Sequence, residues 1–81
     1  MATAHILLNC DTGSERSVIE ELKPMEGVKE VCVLSGAYDI IVKLECPTNE
    51  RLREVIAWKI RKVQHIRSTL TLLDIQGRVT P

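Results

Sequence analysis

Four apolar segments of strand length and two apolar stripes at helical spacing succeed one another in an order that leaves few folds open. His5 to Asn9 predicts a first strand. Asp11-Thr12-Gly13-Ser14 follows as a turn that also starts a helix. Thr12 with Glu15 three residues on matches a capping box, each side chain satisfying a free backbone N–H. Val18, Ile19 and Leu22 share one helical face, and Glu15, Arg16, Glu20 and Glu21 take the wet one. Pro24 stops that helix. Gly27 opens a second strand, Val28 to Ser35. Ser35-Gly36-Ala37 is a turn, and Tyr38 to Cys46 returns as the third strand. Pro47-Thr48-Asn49-Glu50 starts a second helix with acid in its first turn. Leu52, Val55, Ile56, Ile60 and Val63 form its stripe, and Lys59, Arg61 and Lys62 its basic end. His65 to Ile75 is the fourth strand.

The order β-α-β-β-α-β is the split βαβ, ferredoxin-like arrangement of the α+β class: a four-stranded antiparallel sheet with two helices on one face. Two helices cover only one side of a sheet. Alternation along the third and fourth strands sets Ile41, Leu73 and Ile75 on the uncovered side, which invites a second sheet and predicts a dimeric α/β sandwich. At 81 residues the chain has room for one domain, assigned to residues 1–76, with 77–81 as a loose tail. Phe is absent, and Tyr and Trp occur once each, so the core is aliphatic and small. A core of that size is marginal alone, which again favours association.

Composition narrows the function classes. Hydrophobic residues are 44% and charged residues 27%, a globular balance. Eleven Lys and Arg meet eleven Asp and Glu, so the basic excess of a free-standing nucleic-acid binder is missing. No apolar run approaches the roughly 18 residues of a membrane span, and no secretory signal opens the chain. The expected location is the cytoplasm. Cys10, Cys32 and Cys46 are an odd, widely spaced set, expected to be reduced, buried, small hydrophobes. Nucleophile elbows, phosphate loops and metal-ligand spacings are missing, so no catalysis, cofactor or metal is expected.

Charge is unevenly spread. Residues 11–39 hold seven acids against three bases, and residues 40–81 hold eight bases against four acids. The basic second helix lacks the interleaved aromatics of a single-strand binder. Two solvated helix faces that attract each other between subunits account for the pattern with less.

Ser35-Gly36-Ala37-Tyr38-Asp39 is the segment suited to a ligand. A glycine turn lets backbone N–H groups approach a carboxylate, and Asp39 beside an apolar strand suits an ammonium. Thr69 and Thr71 add hydroxyls on one face of the last strand. A zwitterionic amino acid requires such a set. The same residues also serve structural ends: turns use Gly, Asp bonds local backbone, and Thr is common in strands.

Leu22-Lys23-Pro24-Met25-Glu26-Gly27-Val28-Lys29-Glu30-Val31, Ser35-Gly36-Ala37-Tyr38-Asp39-Ile40-Ile41, Lys59-Ile60-Arg61 and Ile66-Arg67-Ser68-Thr69-Leu70-Thr71-Leu72 occur in that order. Together they resemble the C-terminal effector-binding domain of the Lrp/AsnC feast/famine regulators, the regulation-of-amino-acid-metabolism module. The likeness runs from about Ala4 to Ile75. It implies dimers of face-to-face sheets that assemble into tetramers or octamers, with an amino-acid effector between dimers. By resemblance, Ser35, Gly36, Ala37, Tyr38 and Asp39 supply the turn side of that site, and Thr69 and Thr71 the strand side. Family regulators carry a helix-turn-helix domain ahead of this module. A chain that starts at the first strand implies a stand-alone sensor without sequence-specific DNA binding, able to join full-length Lrp/AsnC regulators through the shared surface. His65 stands where the family has Gly before Ile66, which bears on the geometry entering the last strand. Two alternatives compete with the sensor: an assembly partner that needs no ligand, and a small dimeric ferredoxin-like enzyme. The His- or aromatic-lined pocket of the monooxygenases and the Arg cradle of the acylphosphatases are both missing. ACT domains share the fold, but their ligand turn differs.

Overall fold

Strict alternation of buried and half-buried residues marks two strands as the centre of the sheet: β1, Ala2–Cys10, and β3, Ile40–Cys46. The computed structural model describes residues 1–74. The remaining elements are α1 (Glu15–Leu22), β2 (Val28–Val33), α2 (Asn49–Trp58), a 3-10 turn (Ile60–Lys62) and β4 (Ile66–Asp74). The sheet is antiparallel with strand order β2-β3-β1-β4, the arrangement expected from the element order. Ile75 and the tail assigned to 77–81 lie outside the described residues.

Ile6, Leu8, Ile40, Val42 and Leu44 are sealed from water under Val18 and Leu22 of α1 and Leu52 and Val55 of α2. Each buried Leu or Ile contributes roughly 1.5–3 kcal/mol. Ala2 and Ala4 are buried too, so β1 starts three residues earlier than predicted. Alanine has little strand propensity, and here it is the alternation that recruits it. The capping box at Thr12 does not form. Helix α1 begins at Glu15 with Ser14 at its N-cap, whose side chain makes no capping hydrogen bond. The second start behaves as predicted: Thr48 Oγ1 accepts the Arg51 N–H at 3.1 Å. Helix α2 ends at Trp58, and the 3-10 turn carries Ile60 into the core ahead of buried Val63.

Gly27 admits no side chain. Its φ is +83°, and a Cβ would lie 2.9 Å from both Cys46 Sγ and Glu45 O. Its carbonyl accepts the Glu45 N–H at 2.8 Å, joining the start of β2 to the end of β3.

Register decides which residues share a face. Leu7 pairs with Ile41 on one side and Leu70 on the other, and His5 pairs with Lys43 and Leu72. The uncovered face therefore carries Leu7, Ile41, Leu70 and Leu72, with Cys32 opposite Ile41. Ile41 sits where expected and Leu73 does not. Leu73 pairs with Ala4, and Thr71 and Thr69 pair with Ile6 and Leu8, all on the helix side. Fourth-strand alternation alone could not choose, because Leu70 and Leu72 are as apolar as Leu73. The irregularity between Asn9 and Cys10 sets the phase. Cys10 and Cys46 are buried, and burial pushes both thiols above their ordinary pKa. Cys32 is exposed, contrary to the expectation of three buried thiols, because the face it occupies has no helix over it.

Candidate functional site

Asp39 stands just before β3 and is held on three sides. Its N–H donates to Leu8 O at 2.9 Å, its carbonyl accepts from Leu34 N at 2.7 Å, and its Oδ2 accepts from Cys10 N at 3.0 Å. The carboxylate thus continues the β1–β3 ladder past the strand end. Oδ1 makes no hydrogen bond among the described residues. A cleft of about 470 Å³ opens here, lined by Asn9, Cys10, Thr12, Asp39, Arg67 and Ser68.

The far wall comes from the entry to β4. His65 has φ +74°, a left-handed conformation for which glycine is the natural residue. Its carbonyl accepts the Asp11 N–H at 2.9 Å, and its Nδ1 lies 3.4 Å from Asp11 Oδ2. Arg67 Nε stands 3.9 Å from Asp11 Oδ1 and stays largely exposed. Asn9 Nδ2 donates to Ser68 Oγ at 3.2 Å. The cleft therefore offers a carboxylate, a guanidinium, an amide and two hydroxyls.

Sequence-derived site residues fall into three places. Asp39 lines the cleft. Ser35, Gly36 and Ala37 lie in the exposed loop between β2 and β3, with Tyr38 half-buried behind them. Gly36 has φ +146° and open space where a Cβ would sit, so the conformation and not packing selects glycine. Thr69 and Thr71 are half-buried on the helix side of β4 and do not line the Asp39 cleft. Thr71 Oγ1 is buried without a hydrogen-bond partner among the described residues. Asn9, Thr12, Arg67 and Ser68 escaped sequence reasoning. The signal for Arg67 and Ser68 was their place two and three residues after His65, opposite the end of β1.

Trp58 on α2 is 66% exposed, with Lys62 Nζ 4.8 Å from its ring centroid. The basic stretch thus does hold one aromatic, which periodicity alone had not set apart. Below it, Glu26 accepts two hydrogen bonds from the Arg51 guanidinium, one at 2.7 Å, and lies 3.4 Å from Lys59 Nζ. The Arg51 hydrogen bonds hold the Glu26 carboxyl down at about 2.

The profile of the Lrp/AsnC ligand binding domain matches residues 3–76. This chain belongs to that family. A hypothetical protein from Pyrococcus horikoshii of known structure is 45% identical, with TM-score 0.87 over 93% of this chain and 90% of that one. AsnC of E. coli is 25% identical, with TM-score 0.85 over 99% of this chain and 54% of its own. Homocitrate synthase of Saccharolobus islandicus is 41% identical over 74 residues, 90% of this chain and 16% of that protein. The chain thus spans about a sixth of the length of the curated relatives it matches. As a Lrp/AsnC ligand-binding domain it belongs to a regulatory family, and its helices and sheet have the architecture of the AsnC module. Among the described residues no helix is long and apolar enough to cross a membrane, and no group of three metal-ligating side chains gathers.

Proposed function

We propose that this Lrp/AsnC domain is a non-enzymatic sensor of a small amino-acid effector, which it reports through its state of assembly. The observation that carries this is the Asp39 carboxylate, fixed by the Cys10 N–H at 3.0 Å, with its second oxygen unbonded among the described residues in the lining of a polar cleft. An ammonium pairs with Asp39. The effector carboxylate takes the backbone N–H groups around Gly36, with Ser35, Ala37 and Tyr38 shaping that side. Thr69 and Thr71 lie outside the cleft of their own chain, and Thr71 Oγ1 is buried, so the cleft's own hydroxyls, Thr12 and Ser68, stand nearer to the effector. The family match, to a ligand binding domain, supports this reading.

The open sheet face supports assembly. Leu70 and Leu72 are 42% and 50% exposed beside Leu7 and Ile41, an apolar centre that a second sheet covers. The partner is another copy, giving a dimer and then a tetramer or octamer. The same face suits the equivalent module of a full-length Lrp/AsnC regulator, and pairing of that kind without ligand is the second reading. Action on transcription then runs through assembly. Free thiols at Cys10, Cys32 and Cys46 suit the reducing cytoplasm.

Calorimetry with Asp39→Asn tests the site. Asn keeps an oxygen for the Cys10 N–H and removes the charge, so amino-acid affinity should fall about ten- to a hundred-fold. Unchanged affinity in the folded variant refutes the assignment.

A further inference from the structure

The lining of the Asp39 cleft is polar almost throughout. Asn9, Thr12 and Ser68 are neutral, Asp39 is its single acid and Arg67 its single base. Cys10 comes nearest to an apolar wall, and it is only 6% exposed. An aliphatic or aromatic side chain would therefore meet polar groups here and gain little from leaving water. A second ammonium would find no second carboxylate, because Asp11 is outside the lining and already faces His65 and Arg67. Arg67 is the charge in the cleft that the Asp39 site leaves unmatched. Its Nε stands 3.9 Å from Asp11 Oδ1, beyond hydrogen-bond range, and its side chain is 71% exposed, so that pair is weak. The guanidinium makes no hydrogen bond among the described residues.

We infer, resting on the reading of Asp39 as the ammonium site, that the effector is an amino acid with an acidic side chain whose distal carboxylate Arg67 holds. The end of β1 lies between the two charges. Cys10 N–H donates to Asp39 on one side, and Cys10 pairs with Ile66, the neighbour of Arg67, on the other. Two strand spacings, about 10 Å, separate the flanking backbones. The two side chains with a small amino acid between them bridge that gap, and a cleft of about 470 Å³ has room for one. With the ammonium on Asp39 and the main carboxylate at the N–H groups around Gly36, the side chain is the part left to reach β4. There the planar guanidinium fork of Arg67 matches a carboxylate in shape and charge. Ser68 Oγ accepts from Asn9 Nδ2 at 3.2 Å, which leaves its own O–H to donate to the same oxygens. A side-chain amide offers Arg67 an oxygen without the charge and ranks below the acid.

Calorimetry with L-aspartate and L-glutamate, their two amides, L-leucine and L-lysine tests it on the wild type and on Arg67→Gln, Arg67→Glu and Asp39→Asn chains. The wild type should bind one of the two acids at least about ten-fold tighter than its amide, the step expected of one charge-assisted pair. L-leucine and L-lysine should bind more weakly still. Arg67→Gln should close the gap between acid and amide and leave the affinity for the amide nearly unchanged. Arg67→Glu should turn the preference toward L-lysine. Arg67 lies outside the core, and an unchanged melting temperature shows that each Arg67 variant is folded. A wild type that prefers an amide, L-leucine or L-lysine, or an Arg67→Gln chain that keeps the gap, overturns the acidic effector. So does an Arg67→Gln chain weakened equally toward every probe, because Arg67 then holds the main carboxylate. In these cases a loss of binding in Asp39→Asn still upholds the ammonium site. Binding of none of the six probes, or equal binding by Asp39→Asn, instead overturns the sensor reading and the acidic effector together.

Discussion

Asp39 Oδ2 accepts the backbone N–H of Cys10 at 3.0 Å, across 29 residues of chain, and so stitches the start of β3 to the end of β1 where the cleft opens. The bond gives Asp39 a structural duty besides any ligand. Asp39→Ala should cost about 1.5–3 kcal/mol, the range for a hydrogen bond to a charged group, and Asp39→Asn clearly less. Urea unfolding of the two variants beside the wild type measures the difference. Equal losses would mean that the Cys10 contact contributes nothing.

His65 holds φ +74° without being glycine. Backbone strain of about 1–3 kcal/mol is relieved by His65→Gly, offset in part by the greater freedom of glycine in the unfolded chain. The His65–Asp11 pair that is lost is about half exposed and weak. A net gain of about 1 kcal/mol should raise the melting temperature by about 4–8 °C. Calorimetric melting that falls instead would show that His65 is held by contacts stronger than its strain.

Glu26 ties the α1–β2 connection to α2 through Arg51 and Lys59. Its carboxyl lies at about 2 in the folded protein against 4.5 ordinarily, lowered chiefly by the Arg51 hydrogen bonds. A depressed carboxyl stabilises the fold above the unfolded value, and that contribution is lost as pH falls from about 4.5 through about 2. Glu26→Gln should lower stability above that window, where the carboxylate contributes, flatten the profile within it, and converge with the wild type below it. Denaturant midpoints between pH 2 and pH 6 are the measurement. High salt should shrink the effect, because Glu26 and Arg51 are both well exposed.

Leu72 faces away from the helices beside His5, on the edge strand β4 of the open sheet face. Leu72→Asp should weaken sheet pairing at least about a hundred-fold, since the change falls in both copies and each loses a buried leucine. Sedimentation equilibrium reads the outcome directly. Leu73→Asp, on the other face, is the contrast and should leave that pairing intact.

How far the sequence carried these results depends on the strand. In β1 and β3 apolar residues fall on one parity and polar or mixed residues on the other, so their buried set was legible. In β4 both parities are apolar, Leu70 and Leu72 on one and Leu73 on the other. Its phase came only from pairing with β1 and from the irregularity at Asn9 and Cys10. The helix starts divide in the same way. Thr48 caps α2 because it sits directly before the first helical residue, whereas Thr12 is too far ahead of Glu15. Asp39 stood out as an acid at the head of an apolar strand. Its partner Cys10 and its neighbours Asn9, Arg67 and Ser68 are distant in the chain, and only the closure of β1 against β3 and β4 brings them together.

Native mass spectrometry, with and without a pool of amino acids, tests the central claim most directly, because it reads stoichiometry and bound mass together. The wild-type chain should acquire the mass of an amino acid and shift its distribution among dimers and larger assemblies. Asp39→Asn should keep the dimer and lose most of the adduct. An assembly indifferent to the pool, or an adduct equally abundant in Asp39→Asn, would contradict a sensor built on Asp39.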